Sequence, residues 1–262
     1  MPLLLGCIAD DMTGATDLGS ALVRAGMPTL LTIGVPSVPL EETAKAGAVV
    51  VALKSRMLPA PDAVDQSLAA QAWLQAAGAH QFLFKYCSTF DSTDAGNIGP
   101  VGDALLDATG ERCTIVCPSY PANRRTVYQG NLFVGTQLLS ESPMRDHPLT
   151  PMTDANLVRV LSRQTPRRVG LIAYDDIVRG PASIAARLDS LRGEGIAYAV
   201  VDAIDDRNLG DIAVACRDLR LVTGGAAIAT DCGTGNALTG AEAEISERSP
   251  PAALSLSALR RR

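Results

Sequence analysis

The sequence predicts an α/β fold: a doubly wound, mostly parallel sheet with helices on both faces, followed by an irregular C-terminal tail. Short apolar runs alternate along the chain with segments of helical periodicity, and this alternation is typical of a parallel sheet covered by helices. The 262 residues are 47% hydrophobic, which is enough to bury a core. The alternation stops after Gly224-Gly225, so the tail is expected from there.

The predicted strands are short apolar runs bounded by polar or turn-forming residues: 3–8, 29–33, 48–53, 81–85, 113–117, 169–173, 197–201 and 221–223. The predicted helices occupy 13–25, 61–77, 98–107, a segment that begins with Thr153 as its N-cap, and 181–191. Gly26 is placed to end the first helix, and Pro61 is tolerated in the first turn of the second. Residues 118–152 are rich in Pro, Gly, Asn and Arg and are predicted to form a long loop, which inside a compact domain is usually functional.

Charge and composition argue against several classes of partner. The net charge is −5 and the basic residues are scattered apart from a run at 260–262, so no nucleic-acid partner is expected. No apolar stretch approaches the roughly 20 residues of a membrane-spanning helix, and the opening apolar run is a poor signal peptide. Six widely spaced cysteines and two histidines favour reduced thiols in a cytoplasmic protein without a metal site.

The first concentration of chemical groups is Asp10-Asp11-Met12-Thr13-Gly14, between the first strand and the first helix. Ligands of a doubly wound sheet bind at the carboxyl ends of its strands, and the helix N-terminus favours an anionic group. The alternative is that one aspartate only caps the helix. The adjacent pair does not fit the Asp-x-Asp of a haloacid-type phosphatase. A response regulator needs a phospho-acceptor Asp at the end of the third strand, where this chain has none.

Two further groups of candidates also follow predicted strands. Arg56 follows the third strand and is expected to hold a substrate carboxylate through its planar guanidinium, with an ordinary surface role as the alternative. The polar stretch 85–100 follows the fourth strand and supplies an ammonium, hydroxyls and an amide, the array that a polyhydroxy acid needs, on Lys85, Ser88, Thr89, Ser92, Gly96 and Asn97. A solvated loop is the alternative for this stretch, which has no P-loop pattern.

The long predicted loop contributes the last two candidates. Residues 118–126 follow the fifth strand and include Arg125. Residues 145–154 include His147, with Asp146 and Asp154 nearby. This setting makes His147 a candidate site residue, with a packed or surface histidine as the alternative.

These segments, in this order, resemble the four-carbon acid sugar kinase family, in particular its 3-oxo-tetronate 4-kinase branch. Residues 9–15, Ala-Asp-Asp-Met-Thr-Gly-Ala, are similar to the opening signature of the family. Residues 85–100 are similar to its Lys-x-x-Ser-Thr motif with a following Gly-Asn-Ile-Gly, and 125–130 and 147–154 match the branch as well. The resemblance covers roughly residues 3–225, and Arg124 departs from it by replacing an expected glycine.

The resemblance implies ATP-dependent phosphorylation of a small sugar acid, 3-oxo-tetronate, on its terminal hydroxyl, giving the 4-phosphate. The family's active site lies between an N-terminal acid-binding domain and a C-terminal ATP-binding domain. Residues 1–225 are expected to form the first domain, and 226–262 a linker and the truncated start of the second, where Ser255 faintly matches a nucleotide-binding position. ATP and Mg²⁺ are expected to bind mainly through the missing domain.

The roles that follow from this resemblance are hypotheses about particular side chains. Asp10 or Asp11 orients or deprotonates the attacking hydroxyl, and the sequence does not decide between them. Arg56 and Arg125 hold the carboxylate, and the oxygens of the substrate bond to the following residues: Ser88, Thr89 and Asn97. The remaining substrate-binding candidates are Thr13, Gly14, Lys85, Ser92, Gly96 and His147. A catalytically silent sugar-acid-binding module and a non-functional fragment stay open as alternatives, as does a homo-oligomer.

Overall fold

The computed structural model describes residues 3–229, which form one eight-stranded sheet, one three-stranded sheet and the helices around them. The strands of the two sheets are, in chain order, β1 (Leu5–Ala9), β2 (Thr29–Ile33), β3 (Ala48–Ala52), β4 (Gln81–Lys85), β5 (Thr114–Cys117), β6 (Arg125–Tyr128), β7 (Asn131–Val134), β8 (Gln137–Leu138), β9 (Arg168–Ile172), β10 (Ile196–Val201) and β11 (Leu221–Gly224). The α-helices are α1 (Met12–Arg24), α2 (Ala60–Ala76), α3 (Ile98–Thr109), α4 (Leu157–Ser162), α5 (Tyr174–Ile177), α6 (Pro181–Gly193) and α7 (Asp206–Ala215).

The large sheet has the strand order β2-β3-β1-β4-β11-β5-β10-β9, and every neighbouring pair is parallel. The chain leaves β1 toward β2 and β3 on one side and then continues from β4 toward the other side. This reversal places a topological switch point between β1 and β4, where ligands of such sheets bind. Ala9 lies opposite both Ala52 and Lys85, so the carboxyl ends of β1, β3 and β4 are in register.

Helices cover both faces of the sheet, as the sequence predicts. One face packs against α1, α6 and α7 through side chains such as Leu18, Leu188 and Ile212. The other face packs against α2, α3 and α4, with Leu74 and Leu105 in its core. The central strands are buried on both sides, which explains their uninterrupted apolar runs. The predicted α/β class and parallel sheet are therefore confirmed.

The prediction of an unbroken loop over 118–152 is wrong. This segment contains the antiparallel sheet β6-β7-β8, in which Arg125 pairs with Val134 and Tyr128 with Asn131. The β6–β7 turn places Gln129 and Gly130 at φ 49° and 71°, left-handed values that suit a tight hairpin turn. These strands have four residues or fewer, and such short pieces give little periodicity to detect.

The predicted N-cap at Thr153 is also wrong. Helix α4 starts at Leu157, and the side chain of Asn156 caps it by accepting a hydrogen bond from the Arg159 N–H at 3.1 Å. The preceding Ala155 carbonyl accepts the Leu132 N–H, so this segment bonds to β7 instead of starting a helix. The sequence prediction omitted the short helix α5 and helix α7, whose buried Leu209, Ile212 and Ala213 have helical spacing.

The chain continues into the core past the predicted start of the tail. Ala226, Ala227, Ile228 and Ala229 are buried and pack against α1 and α7. The remainder of the predicted tail, including Ser255, lies outside the described residues. Among residues 3–229, no helix is both long enough and apolar enough to cross a bilayer.

Candidate functional site

The main chain of Asp10 ties together the ends of the three strands at the switch point. Its N–H donates to the Lys85 carbonyl at 3.1 Å, and its carbonyl accepts the N–H groups of Ser55 and Arg56 at 3.0 and 3.2 Å. The residues that follow β1 and β3 and the last residue of β4 are thereby fixed beside one another. The parallel register and these three bonds explain why distant sequence motifs meet here.

The Asp10 carboxylate forms a buried, bidentate ion pair with Arg56. Nε and Nη2 of Arg56 each lie 2.8 Å from one oxygen of Asp10, whose side chain is 5% exposed. Burial raises the pKa of the Asp10 carboxyl, while the hydrogen bonds and charge of Arg56 oppose that rise. Burial alone would lower the pKa of Arg56, but its bonds to Asp10 and the surrounding charges outweigh this and raise it.

Asp11 caps α1 and faces the solvent-accessible side of the site. Its Oδ1 accepts the Gly14 N–H at 3.1 Å and the Arg56 Nη2 at 2.7 Å, and Lys85 Nζ lies 3.7 Å away. Its side chain is 27% exposed, against 5% for Asp10. Among residues 3–229, the hydrogen bonds to the Asp11 carboxylate both go to Oδ1, which leaves Oδ2 available to a ligand.

Lys85 carries an ammonium that is nearly enclosed and has uncommitted donors. Its side chain is 6% exposed, and within the described part of the chain Nζ forms one ion pair, with Asp11, and no hydrogen bond. Gly14 makes room for this group, because a Cβ there would overlap Lys85 Nζ and Asp11 Oδ1 and lie 2.7 Å from Lys85 Cε. A side chain at position 14 would therefore displace the Lys85 ammonium from its place beside Asp11.

The donors of Arg56 are mostly committed to the protein. A guanidinium has five N–H groups, and here the single Nε–H and both Nη2–H groups bond to Asp10 and Asp11. Nη1 keeps two N–H groups, and its ion-pair partner Asp91 is 3.7 Å away. The planar fork expected to grip a substrate carboxylate is thus already holding Asp10, and Nη1 is what Arg56 can offer a ligand.

These side chains open on a cavity of about 150 Å³, called here the strand-end cavity. Its lining residues come from four separate strand ends and from the turn after β5: Asp11, Thr13, Gly14, Asp17, Arg56, Lys85, Cys87, Ser88, Tyr120, Asn123 and Ala226. Larger cavities of about 420 and 330 Å³ lie elsewhere. The larger of these is lined by Glu111 and Arg192, which pair with each other at 3.7 Å, while Arg192 Nε is buried without a hydrogen-bond partner among the described residues.

The loop from β4 to α3 holds the remaining candidates in different ways. Ser88 lines the strand-end cavity, whereas the Thr89 hydroxyl donates to Asp91 at 2.6 Å. The buried Asn97 amide donates to the carbonyls of Ser55, Arg56 and Leu58 at 2.8 to 3.2 Å. Asn97 therefore fixes the segment that carries Arg56.

Ser92 and Gly96 lie on the other side of that loop, away from Lys85. Ser92 lines the 330 Å³ cavity, called here the rim cavity, together with residues 151–154 and Arg163. The Ser92 hydroxyl accepts a hydrogen bond from the Gln164 amide at 3.0 Å. Gly96 is packed so closely on Ser92 that a Cβ would overlap the Ser92 hydroxyl. Neither residue lines the strand-end cavity.

Arg125 and His147 also lie outside the lining of the strand-end cavity. Arg125 donates to the main-chain carbonyl of Asn123, so it acts on the turn that lines the cavity. His147 Nδ1 accepts the Thr150 N–H at 3.1 Å, within its own loop.

The sequence prediction omitted five lining residues, namely Asp17, Cys87, Tyr120, Asn123 and Ala226. Tyr120 and Asn123 stand in the polar cluster after the fifth strand, which could have revealed them. Burial, followed by the charge of Asp91, raises the pKa of the Cys87 thiol, so Cys87 stays a neutral wall of the cavity.

Comparison with known proteins gives a consistent match. Residues 5–232 match a family model described as a sugar-binding N-terminal domain. Curated proteins named 3-oxo-tetronate kinase from Burkholderia multivorans and Cupriavidus necator are 62% and 58% identical over 86% of this chain, and each match covers 52% of the relative. The chain therefore spans about half the length of the curated relatives it matches.

Solved structures support the same likeness. A crystal structure of a Haemophilus influenzae protein is 47% identical, with a TM-score of 0.86 over 90% of this chain and 57% of that one. A Bordetella bronchiseptica domain of unknown function, described as a domain-swapped dimer with bound citrate, is 29% identical, with a TM-score of 0.73 over 87% of this chain and 55% of that one.

Proposed function

The chain belongs to the family of sugar-binding N-terminal domains, and on that premise we propose that it is the substrate-binding half of a four-carbon sugar-acid kinase acting on 3-oxo-tetronate. The strand-end cavity is the proposed acid site. The observation that carries the proposal is that Lys85 and Asp11 line one cavity, where the Lys85 ammonium forms no hydrogen bond and lies 3.7 Å from Asp11 Oδ1, and where Asp11 Oδ2 is unbonded. In this proposal the acid-binding domain includes all the described residues, 3–229, because Ala226 lines the cavity and Ala227–Ala229 are buried.

The carboxylate of the acid is held by the cations that keep free N–H groups. Lys85 offers the donors of its ammonium, and Arg56 offers Nη1. Both lie in a poorly hydrated environment, where a charge-assisted hydrogen bond is stronger than in water. Ser88 and Asn123, which line the same cavity, are placed to bond the hydroxyl and carbonyl oxygens of the substrate.

Asp11, and not Asp10, is the proposed catalytic carboxylate. A group that orients or deprotonates the attacking hydroxyl must have an oxygen within hydrogen-bond reach of it. Asp11 lines the cavity and keeps Oδ2 free, whereas both oxygens of the buried Asp10 are bonded to Arg56. Asp10 is then a positioning residue, which fixes the guanidinium that in turn contacts Asp11.

Two predicted substrate ligands are reassigned as positioning residues. Asn97 holds the segment that carries Arg56 through three carbonyls. Arg125 holds the turn that carries Asn123 through the Asn123 carbonyl. Their replacement would move the cavity wall without removing a contact to the acid.

ATP and Mg²⁺ are assigned to the half of the longer relatives that the match to this chain does not cover. Phosphoryl transfer needs cations and positioned donors at the phosphates. Within residues 3–229, the first N–H groups of α1 are partly used by Asp11, whose Oδ1 accepts the Gly14 N–H. The second half of the longer relatives is the proposed source of the nucleotide site. A homo-oligomer stays a prediction, supported by the description of the Bordetella bronchiseptica neighbour as a domain-swapped dimer.

Calorimetry and a coupled assay of ADP release test the proposal on the 262-residue chain. The expected results are binding of 3-oxo-tetronate, weak binding of MgATP and no turnover when both are present. Turnover by this chain would show that the nucleotide site lies within it. Binding without turnover also fits the alternative of a catalytically silent sugar-acid-binding module. Adding the ATP-binding half of a longer relative distinguishes the two, because restored turnover would exclude the silent module. Failure to bind either ligand would favour a non-functional fragment.

A further inference from the structure

The loop between β4 and α3 contains two consecutive non-glycine residues in the left-handed region. Phe90 has φ 65° and Asp91 has φ 42°. Non-glycine residues adopt this conformation at a cost, and it persists where the surrounding structure imposes it. Phe90 is 1% exposed and packs edge-to-face on Tyr86 at 5.5 Å, and the Tyr86 hydroxyl bonds to Thr223 at 3.0 Å. The buried aromatic pair thus holds the loop in its strained form.

The strained loop directs Asp91 at the uncommitted end of Arg56. Asp91 Oδ2 lies 3.7 Å from Arg56 Nη1, and its side chain is 13% exposed. The Thr89 hydroxyl fixes the other oxygen, Oδ1, at 2.6 Å. Nη1 is the part of the guanidinium that keeps free N–H groups, because Asp10 and Asp11 occupy Nε and Nη2.

The charges around the cavity leave an anionic ligand in competition with the protein. Three carboxylates, on Asp10, Asp11 and Asp91, pair with the two cations Arg56 and Lys85. Of these three only Asp11 is a lining residue, and Asp17 adds a second carboxylate to the lining. A substrate carboxylate that reaches Nη1 therefore meets the like charge of Asp91. The Asp91 carboxylate therefore lowers the affinity of the cavity for every anion, so that discrimination among anions depends on the hydroxyl groups of the ligand.

We propose that Asp91 is an internal counter-ion of Arg56 that competes with the substrate carboxylate, and so acts as a specificity-determining residue of the strand-end cavity. The proposal rests on the assignment of this cavity as the acid site. It predicts an affinity change of unusual sign, since removing the Asp91 charge strengthens binding. A residue that contacts the substrate, or one that only supports the fold, gives the opposite result when it is replaced.

The test compares Asp91→Asn with Asp94→Asn by calorimetry. Asparagine tolerates the left-handed backbone, so the first variant removes charge and keeps the loop. Asp94 is a matched control on the same loop, since it pairs with Arg163 at 3.3 Å and is 66% exposed. Asp91→Asn should tighten 3-oxo-tetronate binding about five- to tenfold, as expected for removing one like charge a few ångströms away. Erythrulose, in which a hydroxymethyl group replaces the carboxylate, should bind both variants as it binds the parent chain.

A weaker affinity of Asp91→Asn for both 3-oxo-tetronate and erythrulose would overturn the proposal, because Asp91 would then be a ligand of the hydroxyls. Equal affinity of the two variants for 3-oxo-tetronate would also overturn it.

A second measurement uses sulfate as the anion, so it does not depend on the identity of the natural substrate. The thermal midpoint of Asp91→Asn should rise more with added sulfate than that of Asp94→Asn, since non-specific stabilisation by sulfate is common to both. If 3-oxo-tetronate fails to bind the parent chain while this sulfate difference persists, the proposed substrate is wrong and the role of Asp91 stands.

Discussion

Two groups of charged residues flank the loop between β4 and α3, and their surroundings differ. The strand-end cluster consists of Asp10, Asp11, Arg56, Lys85 and Asp91, and the Asp10–Arg56 pair at its centre is 5% and 20% exposed. The rim cluster consists of Asp94, Asp154, Arg159 and Arg163, and its arginines are 59% and 45% exposed. Both contain bidentate or shared carboxylate–arginine contacts, yet only the first is enclosed by the protein.

The two clusters differ in how far their charges are removed from water. Burying an ion pair costs desolvation energy that the attraction offsets incompletely, whereas an exposed pair contributes little in either direction. The raised pKa of Asp10 reflects that cost, because burial is its largest cause. The lowered pKa of Asp154 reflects the opposite situation, since hydrogen bonding by Arg159 is its largest cause. The strand-end cluster is therefore a poor device for stability and a suitable one for holding a ligand.

The largest expected effect comes from breaking the buried pair. Asp10→Ala leaves Arg56 without its bidentate partner and should lower the free energy of unfolding by about 3–5 kcal/mol. Urea denaturation followed by circular dichroism measures the change. A loss below about 1 kcal/mol, the value typical of exposed pairs, would remove the distinction between the two clusters.

The next effect concerns the lysine of the strand-end cluster. Lys85→Met removes the uncommitted ammonium and keeps an apolar stem, so 3-oxo-tetronate affinity should fall about 10- to 100-fold, the equivalent of one charged hydrogen bond. The unfolding free energy should stay near that of the parent chain. Calorimetry at several salt concentrations measures the affinity, and an unchanged affinity would exclude Lys85 from the acid site.

A smaller effect is expected outside both clusters, at the turn that enters the β6–β7 hairpin. Arg124 has φ 58° and ψ 37°, a left-handed conformation that favours glycine. Arg124→Gly should raise the unfolding free energy by about 0.5–1 kcal/mol, because relief of strain exceeds the added entropy of the unfolded glycine. The thermal midpoint measures this change, and a lower midpoint would mean that packing of the Arg124 side chain near Gly135 outweighs the strain.

The smallest effect is expected in the rim cluster. Asp154→Asn should cost at most about 1 kcal/mol, since the charges of Arg159 and Arg163 remain largely hydrated. A lowered folded-state pKa means that the contribution of Asp154 is present above the unfolded value near pH 4 and is lost as the pH falls through the folded value. The stability difference between Asp154→Asn and the parent chain should therefore shrink on acidification. A difference that grows at low pH would contradict this sign.

The sequence could predict the parts of the site that depend on strand order and register. Asp10, Arg56 and Lys85 each follow or end a strand, and parallel strands bring such residues to one edge. The sequence could not predict which carboxylate Arg56 binds. That choice depends on the position of the segment after β3, which is fixed by two N–H groups that donate to the main-chain carbonyl of Asp10. His147 and Arg125 belong to a segment whose short strands gave no periodic signal, so their distance from the cavity could not be judged either.

A crystal structure of the chain with 3-oxo-tetronate tests the central claim most directly, because it locates the acid. We expect one molecule in the strand-end cavity, with an oxygen of its carboxylate about 2.7–2.9 Å from Lys85 Nζ, the usual length of a charge-assisted bond. We also expect a hydroxyl within hydrogen-bond distance of Asp11 Oδ2. Electron density for the acid in the rim cavity, beside Ser92 and Arg163, would contradict the account and assign the substrate site to the exposed cluster.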